Sequence, residues 1–189
     1  MNVNTYKQKN KAFIVNKLHE TCIKKETKKL QKILQENNNW VDIKDDKSGW
    51  TPLMIAAHFD FYDGVKVLLD FGANANYSEP NKNNTPLLCA IAAGENAKSY
   101  FPLLNDKNIN RANKDGITPL MLACEVNNSQ AVEDLLNKGA NLSDYDKNGK
   151  TCLDYALKRN NHKIISLIES LNIGKAVVNK NKSENINKI

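Results

Sequence analysis

The chain has 189 residues, of which 41% are hydrophobic and 25% charged, a balance that suits a folded chain and excludes a disordered tail. Its formal charge of +6 rests on 27 basic residues, and only Arg111 and Arg159 are arginine. Lysine lacks the guanidinium fork used for phosphates and guanine edges, so the surplus argues against nucleic acid as the partner and for a solvated surface.

The amino-terminal segment holds only one short apolar run, Ala12 to Val15. A secretory signal needs about 7–15 apolar residues and a membrane span about 20, so the reading is a cytoplasmic protein without membrane insertion. Residues 1–7 are expected to be flexible. Phe13, Ile14 and Leu18 then suggest a helix, and Leu30, Ile33 and Leu34 fall at helical spacing on a second. Lys24, Lys25, Lys28, Lys29 and Lys32 form a stripe on that stretch, read here as a solvated outer face.

Next comes "GWTPLMIAA", residues 49–57. The Thr51 hydroxyl can accept from N–H groups of a first helical turn, and Pro52 has no N–H to leave unpaired. Leu53, Ile55, Ala56 and Ala57 give a short helix face, while Val65, Val67, Leu68 and Leu69 give another. Gly72 supplies the left-handed residue that ends it.

The motif returns as "NTPLLCAIA" from Asn84, "ITPLMLACE" from Ile117 and "KTCLDYALK" from Lys150, placing its threonine at 51, 85, 118 and 151. The intervals of 34, 33 and 33 residues are those of a stacked helical repeat. The third copy is degenerate. Pro102 falls inside its expected second helix, which should be kinked or start late and leave an irregularity on the convex side. The last copy offers Leu153, Ala156, Ile164, Ile165, Leu167 and Ile168, then runs into a polar tail, residues 174–189, expected to fray.

Three of the four cysteines, Cys89, Cys124 and Cys152, lie in these apolar stretches, and with Cys22 they read as reduced core residues. His19, His58 and His162 are scattered, so no metal site is expected. No Gly-rich phosphate loop, nucleophile elbow or paired-histidine motif occurs, so no catalytic residue and no cofactor are expected.

The order Asp46, Gly49, Thr51-Pro52-Leu53, Ala56-Ala57, Leu68-Leu69, Gly72-Ala73 and Asn76 resembles the ankyrin repeat. Met54 and Asp60 depart from it, the family usually having histidine and glycine there. A similar set runs from Gly116 and Thr118-Pro119-Leu120 to Gly139-Ala140-Asn141. The resemblance implies an all-α ankyrin-repeat solenoid of about five stacked helix-turn-helix units with hairpin loops. They span residues 8–173: an amino-terminal cap at about 8–43, units at 46–78, 79–112 and 113–145, and a closing cap at 146–173. Asp46 and Asp146 then stand where a carboxylate stabilises each hairpin turn.

Such a stack exposes a concave face made of hairpin tips and first helices, which the family uses to bind proteins and which carries no chemistry. In this register the tips present Lys47, Ser48 and Trp50, then Lys82 and Asn84, then Lys114, Asp115 and Ile117, then Lys147, Asn148 and Lys150. The first helices present His58 with Phe59, Ala92 with Ala93, Glu125 with Val126, and Lys158 with Arg159. Trp50, Phe59, Ile117 and Val126 stand out as apolar, and exposed aromatics dominate interface energies. Trp50 has an alternative role, folding back to complete the core.

The expected function is therefore a non-catalytic module, monomeric alone, that binds a partner protein. Lysine-mediated nucleic-acid binding and self-assembly as a homo-oligomeric scaffold are the competing readings. Bacterial proteins of the resembled family include both resident interaction proteins and effectors delivered into host cells, and the sequence does not choose between them.

Overall fold

The computed structural model describes residues 3–171; the tail expected at 174–189 lies outside them. The elements are helices α1 (Val3–Ile23), α2 (Thr27–Glu36), α3 (Pro52–His58), α4 (Tyr62–Asp70), α5 (Pro86–Ala92), α6 (Pro119–Glu125), α7 (Ser129–Asn137), α8 (Cys152–Lys158) and α9 (residues 162–171). The chain forms an all-α solenoid. First helices pack in the series α1, α3, α5, α6, α8, and α2 packs on α4.

The repeated threonine begins each short first helix by a direct physical act. Oγ1 of Thr51, Thr85 and Thr118 accepts from the N–H of Met54, Leu88 and Met121, each at 3.3 Å, and Thr151 does the same for Asp154 at 3.4 Å. One of the N–H groups that a helix leaves unpaired at its start is thereby satisfied. In the last unit the Asp154 carboxylate returns the favour to Thr151 N at 2.7 Å, closing a capping box.

Nine residues after each threonine the chain turns into the second helix through a left-handed residue: Asp60, Gly94, Asn127 and Asn160, with φ of 47°, 122°, 64° and 52°. Asp and Asn tolerate this region better than other side chains. The departure at Asp60 has an added cause. Its Oδ1 accepts from the N–H groups of Lys98 and Ser99, at 2.9 and 2.8 Å, in the irregular segment of the third unit.

Between the units lies a continuous core, with Leu18, Leu34, Leu53, Leu68, Leu87, Leu103, Ala123, Leu135, Ala156 and Ile168 among its fully or almost fully buried members. All four cysteines are buried and free within it. Burial pushes the thiols of Cys22 and Cys89 up to about 12, which makes them inert small hydrophobes at neutral pH.

Three features differ from the sequence expectation or sharpen it. α1 is helical from Val3, within the segment expected to be flexible, and at 21 residues it is three times the length of α3. Its Lys11 pairs with Asp46 of the next unit's hairpin. Around Pro102, the second helix of the third unit is reduced to a single 3-10 turn, Phe101–Leu103, because proline removes a donor and clashes with the preceding turn. That shortening leaves a recess of about 300 Å³ between α4 and α7, lined by Tyr62, Lys98, Tyr100, Phe101, Gln130 and Asp134.

The third is a correction of register at the first hairpin. The carboxylate that organises it is Asp45, not Asp46: Asp45 Oδ1 accepts from the N–H of Lys47 and Ser48 and from the Ser48 hydroxyl, at 3.1, 2.6 and 2.7 Å. Glu79, Asn113 and Asp146 play the same part in the next three. The first two hairpins hold one residue more between acceptor and threonine than the last two, which hid the alignment.

Candidate partner-binding face

Each hairpin is tied to its neighbour, so the tips line up as one surface. Lys114 N donates to Lys82 O at 2.8 Å, Lys147 N to Asp115 O at 3.0 Å, and the Tyr77 hydroxyl to Gly49 O at 2.9 Å. Asn81 Nδ2 reaches Ser48 O at 3.3 Å. These bonds satisfy loop backbone that would otherwise lack partners.

At the tips, Lys47, Lys114, Asp115, Lys147 and Lys150 are exposed. The Lys114 ammonium donates to Pro80 O at 2.7 Å. Ser48 is used inside its own turn, donating to Asp45 and accepting from Trp50 N at 3.2 Å. Trp50, Asn84, Ile117 and Lys150 stand at equivalent positions just before the threonines. Trp50 and Ile117 are half-buried and pack on the core, while Lys150 is open to solvent. Trp50 therefore does both things the sequence left open: it completes packing and keeps part of its indole outside.

The ends of the first helices carry the rest. His58 sits edge-on between two aromatic rings, 5.4 Å from Trp50 at 76° and 5.3 Å from Phe59 at 90°. Such edge-to-face pairs suit the ring quadrupoles. Phe59 is 40% exposed and His58 is exposed as well. One unit on, the same places hold Ala92 and Ala93. Next come Glu125 and Val126, both half-buried, and then the exposed Lys158 and Arg159. The Lys158 ammonium lies 3.7 Å from the Glu125 carboxylate, and Arg159 Nε donates to Glu125 O at 2.6 Å.

The sequence pattern of ankyrin repeats, in three copies, matches residues 18–101 and 92–181. The chain belongs to the ankyrin-repeat family. Among proteins similar to it, human neurogenic locus notch homolog protein 1 is 34% identical over 119 residues, covering 61% of this chain and 4% of the relative. The Xenopus laevis counterpart is 35% identical over 119 residues, covering 61% and 5%. The Drosophila melanogaster neurogenic locus Notch protein is 41% identical over 100 residues, covering 51% and 4%. The chain thus spans only about a twentieth of the length of these much longer relatives.

Ankyrin-repeat proteins serve as protein–protein interaction modules, and the fold is a non-catalytic scaffold. Among the described residues of this ankyrin-repeat protein, no group of three or more His, Cys, Asp or Glu side chains is placed to hold a metal ion. No described helix is long and apolar enough to cross a membrane. In the first and last hairpins the loop itself favours the carboxylate anion. Backbone N–H bonding from Ser48 and the Ser48 hydroxyl lower the Asp45 carboxyl, and the N–H of Lys150 with the Tyr155 hydroxyl lower that of Asp146.

Two partly exposed residues of the first helices escaped the sequence reading. Ile55 and Leu122 lie four residues after their threonines and are half-buried, whereas Cys89 and Tyr155 at that position are buried. Ile55 was legible only as part of an apolar helix face. The position holds Ile, Cys, Leu and Tyr in the four units, so its residue types carry no signal of exposure.

Proposed function

We propose that the chain is a protein-binding module whose partner meets the concave face formed by the hairpin tips and the ends of the first helices. It acts as a monomer in the cytoplasm. Trp50 and Phe59 are the anchors, and Ile117 and Val126 extend the apolar strip. The observation that carries this reading is the aromatic run Trp50–His58–Phe59 at one end of an aligned surface, with Phe59 and His58 exposed and Trp50 half-buried. Aromatic rings offer large contact area at low entropic cost, which is why they concentrate binding energy. The charged residues Lys47, Lys114, Asp115, Glu125, Lys147, Lys150, Lys158 and Arg159 form the polar surroundings that set orientation and partner choice.

Affinity capture from lysate of the source cells tests this, with the wild type beside the double variant Trp50→Ala, Phe59→Ala. A protein retained by the wild type and lost by the folded double variant supports the reading. Identical retention by both moves the site elsewhere, and capture of nucleic acid alone overturns it.

A further inference from the structure

The concave face is not uniform along the stack. Taken unit by unit at equivalent positions, it runs from Trp50, His58 and Phe59, through Asn84, Ala92 and Ala93, to Ile117, Glu125 and Val126, and ends in Lys150, Lys158 and Arg159. One end is aromatic, with Lys47 exposed at its tip. The other carries three cations with Lys147 exposed beside them, and the carboxylates it faces are Glu125 and, on the neighbouring tip, the exposed Asp115. The Glu125 carboxylate is 3.7 Å from Lys158, and among the described residues Arg159 uses only its Nε, on the Glu125 carbonyl, which leaves its terminal amino groups for a partner.

Between these ends the surface steps down. Phe59 is followed, one unit on, by Ala92 and Ala93, which are too small to cover its ring. A second recess of about 260 Å³ opens beside Trp50 between the first two hairpins, bounded by Glu79 and Asn84. The step at Phe59 is a seat for an apolar side chain beside an aromatic wall, while the recess at Trp50 is otherwise lined by the polar Ser48, Glu79, Asn81, Lys82 and Asn84.

We infer that the partner presents a single linear segment with an aromatic or large aliphatic anchor at one end and acidic residues at the other. The anchor fills the step between Phe59 and Ala92, and the acids meet Lys158 and Arg159. This rests on the concave face being the binding site. Helices of adjacent units pack at about 8–10 Å, so two unit steps separate anchor from acids by about 16–20 Å. An extended chain advances about 3.3 Å per residue, which places the acids about five or six residues from the anchor. Guanidinium and carboxylate pair in bidentate fashion, and so Arg159 fixes the register of the segment.

Selection of a random peptide library, about 16 residues long so that it spans the whole gradient, on the full immobilised chain tests the inference at about 150 mM salt. Enriched peptides are then measured against the wild type, against Lys158→Glu with Arg159→Glu, and against Trp50→Ala with Phe59→Ala. All three proteins are checked for native helicity. The expected sequences carry an apolar anchor with acidic residues five or six positions away, and charge reversal weakens them about tenfold or more. Peptides that need Trp50 and Phe59 but lack acids, or that ignore charge reversal, overturn the inference and leave the concave site standing. Peptides that bind the aromatic double variant unchanged overturn both. An oligothymidine probe that displaces the peptides and loses affinity steeply between about 50 and 200 mM salt overturns the inference by giving the basic end to nucleic acid.

Discussion

Asp60 of one unit holds Ser99 of the next: its Oδ1 accepts the Ser99 N–H at 2.8 Å, while the Ser99 hydroxyl donates to Ala57 O at 3.1 Å. The third unit has lost most of its second helix, and these bonds give the irregular segment a fixed place on its neighbour. Asp60→Ala removes the acceptor for two N–H groups at a left-handed position and should cost about 2–3 kcal/mol. Asp60→Asn keeps an oxygen there and should cost under about 1 kcal/mol. Urea unfolding of both variants checks the difference, and equal losses would contradict it.

The hairpin glycines should separate by their surroundings. Gly116 and Gly149 have φ of 80° and 75°. A Cβ on Gly116 would sit 3.0 Å from Asp146 Cα and 3.1 Å from Lys147 N, whereas one on Gly149 would meet nothing within 4 Å. Gly149→Ala carries the backbone penalty alone, about 1–2 kcal/mol. Gly116→Ala adds a clash with rigid backbone and should cost about 2–4 kcal/mol. Their urea midpoints give the order directly.

How much was legible follows from which residues act alone. The four threonines did, because a cap depends on its own hydroxyl and the next turn, and the sequence placed α3, α5, α6 and α8 from them. Pro102 acted alone too, although the outcome is one 3-10 turn rather than a kinked helix. Asp45 did not, since its role depends on a loop one residue longer than those of the last two hairpins. The length of α1 was hidden as well: its start has no recurring motif, and Lys11 finds Asp46 only once the units stack. Trp50 required coordinates, because a half-buried ring satisfies core and surface together.

Stability should fall on mild acidification, and His19 is the cause near neutrality. Burial lowers its pKa, partly opposed by the charge of Asp45, and its Nε2 is buried without a partner among the described residues. The unfolded chain therefore binds a proton more readily than the folded one. The contribution of neutral His19 is full above about 6.5, its ordinary value, and is lost as pH falls toward its lowered folded value. His19→Gln should flatten the urea midpoint between about pH 7 and 5. An unchanged slope would remove His19 as the cause.

A second loss should follow at lower pH. Asp45, Asp146 and Asp154 are lowered first by backbone N–H groups, those of Ser48, Lys150 and Thr151. Their contribution is present above the ordinary carboxylate range of about 4 and disappears as pH drops through the folded values. Asp146→Asn should reduce the stability change below about pH 4 while leaving the histidine step intact. A thermal-melting series across pH reads both steps in one protein.

The buried thiols offer a test of packing. Cys22, Cys89, Cys124 and Cys152 should all resist a thiol reagent in the native protein and react together in urea. Fast modification of one thiol without denaturant would show local opening of the unit that holds it.

The face itself is tested most directly by photo-crosslinking in source-cell lysate, with a benzophenone side chain placed at Ala92 in one protein and at Tyr62 in another. Ala92 lies in the step beside Phe59, and Tyr62 borders the recess between α4 and α7. The concave-face account predicts a defined adduct from Ala92 and none from Tyr62, lost when Trp50 and Phe59 are replaced by alanine. An adduct formed from Tyr62 and absent from Ala92 would contradict it.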